Sequence, residues 1–140
     1  MTGLDAADVA EFTTTQISNL ANTQLLAMTS TNMAGLAETQ IASIAAIGVK
    51  ALTATNFAAL AETQLGALTT TQVSSLTNTQ LQALTSTKFS SFTETQLGAL
   101  TTSQLGGIST TNLSALDATQ FSAFRTTQLQ TLTTTQLNGL

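Results

Sequence analysis

The sequence predicts an all-α solenoid, a superhelix of very short helices of about six to seven residues, one per eight-residue repeat, over a single domain 1–140. Three observations carry this expectation. An unbroken eight-residue period runs from Met1 to Leu140. Its apolar residues hold two fixed positions that neither a strand nor a continuous helix can keep on one face. A Thr-x-x-Gln helix-start signal recurs where successive copies meet.

The period comes first. LGALTTTQ at 65–72 is a clean copy, and no insertion or deletion interrupts the array. Numbered from its leading apolar residue, position 1 runs Met1, Val9, Ile17, Leu25 and so on to Leu137, and position 4 runs from Leu4 to Leu140. Of 38 Leu, Ile, Val, Met and Phe residues only Leu26 and Ile47 fall elsewhere, so positions 1 and 4 are the candidate core. They have opposite parity, so a strand would point them to opposite faces. A continuous helix, at ~100° per residue, would rotate the apolar pair by ~80° per octad and wind it around the cylinder. The chain must therefore change direction once per octad.

The residues at that change supply the mechanism. Leu-Thr-x-x-Gln-Leu reads as N′, N-cap, N1, N2, N3 and N4 of a helix. The Thr hydroxyl accepts from the N3 amide, the Gln side chain reaches back to the cap amide, and the flanking leucines form a hydrophobic staple. The signal recurs at Leu68-Thr69 to Gln72-Val73, Leu76-Thr77 to Gln80-Leu81 and Leu132-Thr133 to Gln136-Leu137. Measured from the cap, positions 6 and 2 lie at ~100° and ~140° on the wheel. They are the most variable positions, holding Glu38, Glu62, Glu94 and Lys50, and are expected to form the narrow exposed face. Position 3 is Ala, Gly or Ser in 15 of 18 copies, which implies close backbone approach, and the nearly uniform Thr at position 7 is expected on the constrained side. Isolated helices need about 12–15 residues for marginal stability, so these must be held by stacking. Handedness is not set by this reasoning. A second spacing, 32 residues between Phe57, Phe89 and Phe121, marks either one superhelical turn of four octads or, the favoured reading, a duplicated unit.

Four features of the sequence bear on chemistry. The first octad, 1–8, is an atypical polar turn, with Asp5 and Asp8 followed by Glu11. Three carboxylates suggest a cation site, but the Gly-centred loop and ligand number of a calcium loop are missing, and acids at a helix start cap it well. The segment 41–50 is a degenerate repeat in which Ala45, Ile47 and Gly48 replace Thr, Thr and Gln, removing both capping contacts. Its Gly48-Val49-Lys50 lacks the second glycine and Lys-Ser/Thr ending of a phosphate loop. Lys88 at the Gln position, with Arg125 and Asp117 at the cap position, reads as tolerated variation. Phe89 with Phe92, and Phe121 with Phe124, occupy core positions and read as packing.

Composition excludes several function classes. The 140 residues include 31 Thr but no Cys, His, Trp, Tyr or Pro, so imidazole or thiolate chemistry, disulfides and zinc-thiolate sites are excluded. Three basic residues against seven acids leave a net charge of −4 and no basic footprint for nucleic acid or anionic lipid. No apolar run approaches a bilayer's thickness and the N-terminus lacks a signal-peptide pattern, so membrane insertion is not expected. No acid, base and nucleophile converge. The expectation is a non-enzymatic protein with no catalytic, cofactor-binding or metal-binding residues and no cofactor.

ALTTTQ, SLTNTQ and TLTTTQ resemble the Leu-Thr-Thr-x-Gln octapeptide arrays of large bacterial secreted or surface proteins, described as adhesin-like or as haem-utilisation proteins. The resemblance covers essentially the whole chain and implies an extracellular or cell-surface stalk. It does not extend to haem binding, because no His, Tyr or Cys exists to ligate iron. The expected function is therefore a structural repeat segment, either the spacer or stalk of a surface protein or a filament subunit stacking end to end. Its expected partner is itself, through end-to-end stacking or continuation into more repeats, since the array reaches Leu140 in mid-octad without a polar cap. The alternative is an ice-binding or adhesive β-solenoid using Thr-x-Thr ladders such as 69–71 and 77–79. That alternative needs positions 5 and 7 on one strand face, whereas a helix separates them by ~200°.

Overall fold

The computed structural model describes Gly3 and residues 5–140. Among these residues the secondary structure is helical throughout, with no strand. The first helices are α1 (Ala6–Ala10), α2 (Thr14–Ser18), α3 (Asn22–Leu26), α4 (Ser30–Gly35), α5 (Glu38–Ser43) and α6 (Ala46–Ala51). Then come α7 (Ala54–Ala58), α8 (Glu62–Gly66), α9 (Thr70–Ser75), α10 (Asn78–Gln82), α11 (Ser86–Ser90) and α12 (Glu94–Ala99). The array ends with α13 (Thr102–Gly106), α14 (Thr110–Leu113), α15 (Ala118–Ser122), α16 (Thr126–Leu129) and α17 (Thr134–Asn138). One helix per octad is thus present. The helices are four to six residues long, shorter than the six to seven expected.

They are shorter because position 4 leaves the helix. Its N–H still bonds to the position 1 carbonyl three residues back, as in Leu76 N–H to Val73 O at 3.2 Å, but its own ψ is extended. Leu76 (φ −58°, ψ 146°) and the cap Thr77 (φ −83°, ψ 155°) together turn the chain into the next helix. No described residue has a positive φ, so the array ends its helices without left-handed glycine caps.

The helix starts are built as the sequence requires. Thr93 Oγ1 accepts from Gln96 N–H at 3.3 Å, and Gln96 Oε1 accepts from Thr93 N–H at 2.8 Å. The same reciprocal pair forms at Thr13, Thr69, Thr77, Thr101, Asp117 and Thr133. Where Ala stands at the cap, as at Ala21, Ala37 and Ala61, only the Gln half survives. In the degenerate segment Ala45 and Gly48 make neither contact, as their side chains dictate.

Packing relates each helix to the one three places on: α1 to α4, α2 to α5, α3 to α6, and so through α14 to α17. Positions 1 and 4 form one continuous core from Val9 to Leu132, with Phe57, Phe89 and Leu97 fully buried. Phe89 and Phe92 pack edge to face at 5.7 Å, and Phe121 and Phe124 at 5.5 Å. At position 3 the approach is close: a Cβ on Gly35 would lie 2.8 Å from Ala6 Cβ and 2.9 Å from its carbonyl oxygen, whereas at Gly107 and Gly139 it would meet the side chains of Asn78 and Thr110.

The exposed face includes the expected positions and is wider than the wheel's expectation. Glu38, Glu62, Glu94 and Lys50 are exposed, as are Gln82, Ser114 and Ser122 at position 2. Position 7 is exposed as well, as at Thr63, Thr71, Thr79 and Thr95, and so are caps such as Thr69 and Thr93. Position 2 is half-buried at Gly66, Gly98 and Gly106, which lie against the main chain three helices on, with Gly98 facing the Ala123 carbonyl oxygen. The flat strand face needed by the ice-binding alternative does not form, because the Thr-x-Thr segments are caps and first turns of helices.

Candidate functional site

A helix of five residues leaves its last carbonyls without intrahelical donors, and here position 8 supplies them from another turn. Gln72 Nε2 donates to Ile41 O (2.9 Å), Ala42 O (3.4 Å) and Ile44 O (2.7 Å) at the end of α5. Gln80 does the same to Val49, Lys50 and Leu52 at the end of α6, and Gln96 to Leu65, Gly66 and Leu68 at the end of α8. Gln40, Gln64, Gln104, Gln120, Gln128 and Gln136 occupy equivalent places. Each reaches back 28 to 31 residues, to the helix four places earlier. A helix therefore packs on the one three places away and donates to the one four places back, so a turn holds between three and four octads. The 32-residue spacing of Phe57, Phe89 and Phe121 is therefore longer than one turn.

One side chain thus serves two helices. The amide oxygen completes the start of its own helix, and the amide nitrogen closes the end of an earlier one. With a net worth of about 1 kcal/mol per hydrogen bond, each buried Gln contributes about 2–3 kcal/mol. Length is decisive. Asn56 Nδ2 reaches only Met28 O (2.8 Å), and Asn112 Nδ2 only Leu84 O (3.4 Å). Lys88 keeps the donor role, its ammonium on Ala58 O at the end of α7, where a cation is favourable. Gly48 has no side chain to donate, so by the 31, 30 and 28 residue spacing the carbonyls of Ile17, Ser18 and Leu20 receive no position 8 amide.

The remaining residues singled out in the sequence are absorbed by local structure. Asp5 Oδ1 accepts from Ala7 N–H and Asp8 N–H, and Asp8 Oδ2 accepts from Asp5 N–H at 2.9 Å, so the two carboxylates cap α1. Among the described residues no group of three His, Cys, Asp or Glu is placed to hold a metal ion. Gly48, Val49 and Lys50 lie within α6 and form no loop. Arg125 donates to Gly98 O at 2.8 Å, and Asp117 caps α15 through Gln120 N–H at 2.8 Å. The surface grooves are open, one beside Ala34, Glu38 and Thr63, another beside Lys50, Ser74 and Ser103. No described helix is long and apolar enough to cross a membrane.

Gln16 and Gln24 bond to the cap amides of Thr13 and Ala21, and both are exposed. At the other end Leu137 and Leu140 are 55% and 54% exposed, although they occupy positions 1 and 4. The sequence signal for the capping half of the Gln role was present; nothing local marked the donor half. Comparison with protein-family models, with curated proteins and with solved structures finds no match.

Proposed function

We propose that the chain is a non-enzymatic structural repeat, the spacer or stalk of a surface protein, whose length is set by the number of octads. One observation carries this reading: at most position 8 sites a side-chain amide closes two or three carbonyls of the helix four places back, so an added octad that carries Gln brings its own attachment to the stack. Stability of such an array is a sum over repeats and their interfaces, which suits a rod that must be extended without redesign. The low charge and Thr-rich surface, with the resemblance to octapeptide arrays of large secreted and surface proteins, support an extracellular or cell-surface setting.

The test is small-angle X-ray scattering on the chain and on variants lengthened by duplicating residues 65–96. Each duplication should add the same increment of length at constant cross-sectional radius. A radius that grows, or a length that does not, would overturn the spacer reading.

A further inference from the structure

We propose that the threonine at position 7 of the octad is the acceptor for an O-linked neutral sugar, transferred from a nucleotide-activated donor. The other uniform positions have work inside the fold: positions 1 and 4 fill the core, position 5 caps, and position 8 bonds the helix four places back. Position 7 has none. All 17 of its copies, from Ala7 to Thr135, are exposed, and 15 carry a hydroxyl, the exceptions being Ala7 and Ile47. None of those hydroxyls makes a hydrogen bond within the protein; the neighbouring serines that bond to Thr71 and Thr119 do so at the carbonyl oxygen.

Two comparisons within the array show that this hydroxyl is more than a relic of duplication. Position 6, adjacent in sequence, has drifted among Ala, Thr, Asn, Ser and Glu. The cap at position 5, whose hydroxyl accepts an amide hydrogen, keeps Thr or Ser in only 10 of 17 copies and elsewhere gives way to Ala, Asp or Arg. A hydroxyl with no partner is thus retained more strictly than one that stabilises a helix by about 1 kcal/mol. Thr also costs helix propensity relative to Ala, so the fold gains nothing from it at position 7. Its use lies outside the fold.

Geometry and charge select the kind of use. A turn holds between three and four octads, so successive position 7 hydroxyls are displaced around the array and face all its sides. A partner lying along one side would reach only some of them; a small group attached to each separately reaches them all. Phosphate would add about 1.5–2 negative charges per site to a chain already at −4, setting like charges on stacked turns against one another. A sugar is neutral and supplies hydration to a surface with only 7% charged residues. In the transfer, Thr Oγ1 attacks the anomeric carbon of the nucleotide sugar and its proton passes to a base of the transferase. The bond from that carbon to the nucleoside diphosphate breaks, and the diphosphate leaves with the electron pair. A cap such as Thr69 is a poorer acceptor, because its Oγ1 is held on Gln72 N–H at 3.2 Å.

This site needs only exposure and is independent of the spacer reading. The experiment is intact-mass and electron-transfer fragmentation spectrometry of the whole chain isolated from the cells that produce it. The mass should exceed that of the sequence by whole neutral monosaccharide units, mapped to position 7 residues such as Thr63, Thr71, Thr79 and Thr95 and not to the caps Thr69 and Thr93. Replacing Thr63→Ala, Thr71→Ala and Thr79→Ala together should lose the sugar of each substituted site at unchanged helicity by circular dichroism, while Thr69→Ala should lose none. A mass equal to that of the sequence, sugars on the caps instead, or phosphate increments would overturn the proposal. Each of these outcomes leaves the length increment of the duplicated variants unaffected.

Discussion

Replacing Gln96 by Glu separates the two halves of the position 8 side chain. In a capping box Glu serves at N3 as well as Gln, so local reasoning predicts no loss. The structure predicts a large one. Gln96 is 3% exposed, and its Nε2 lies 2.9 Å from Leu65 O, 3.1 Å from Gly66 O and 2.7 Å from Leu68 O. A protonated Glu has one hydrogen for three carbonyls, which costs about 1–2 kcal/mol. An ionised one has none. The native state must therefore hold the carboxyl proton that the unfolded state releases, so the extra penalty is absent at low pH and grows as pH rises through the ordinary glutamic acid range. It grows at about 1.4 kcal/mol per pH unit and reaches about 3 kcal/mol near neutrality. Gln16→Glu is the internal control: its Oε1 caps Thr13 N–H at 2.7 Å, its amide nitrogen is exposed, and a carboxylate suits a helix start, so the change should stay within about 0.5 kcal/mol. Urea denaturation followed by far-ultraviolet circular dichroism, each variant against the parent at several pH values, gives both quantities. Equal losses in the two variants, or a Gln96→Glu penalty that does not rise with pH, would refute the cross-turn role.

Three further outcomes follow from particular contacts. Gly98→Ala should destabilise by about 1–2 kcal/mol, because its Cβ would meet the Ala123 carbonyl oxygen at 3.1 Å, whereas Gly66→Ala, 3.8 Å from Ser91 O, should gain up to about 1 kcal/mol from helix propensity; thermal melts of the pair decide this. Gly48→Gln should restore the donor facing Ile17, Ser18 and Leu20 and raise the urea midpoint by about 1 kcal/mol equivalent, since the nearest obstacle is the movable Leu25 Cδ1 at 2.7 Å; a lower midpoint would show that the site cannot admit a side chain. Leu97→Ala should cost about 3–4 kcal/mol through cavity formation, while Leu137→Ala, at a 55% exposed copy of the same position, should cost under about 1 kcal/mol, as calorimetry would report.

The sequence by itself determined the octad, the all-α class, the core at positions 1 and 4 and the reciprocal Thr–Gln caps. Each of these rests on residues within one octad of each other, so spacing alone exposes it. It also marked position 3 as a place of close approach. The length of the helices fell short of expectation because position 4 spends its backbone on the turn, and the exposed face extends beyond positions 6 and 2 to the caps at position 5 and the threonines at position 7. The tertiary structure alone decided that a turn holds between three and four octads and that the Gln nitrogen closes the helix four places back. Those features depend on how residues 28 to 31 apart come to lie together, and no local pattern encodes a distance of that kind. The same dependence explains why Gln16 and Gln96, each in a Phe-Thr-x-Thr-Gln stretch, differ in burial and in what they hold.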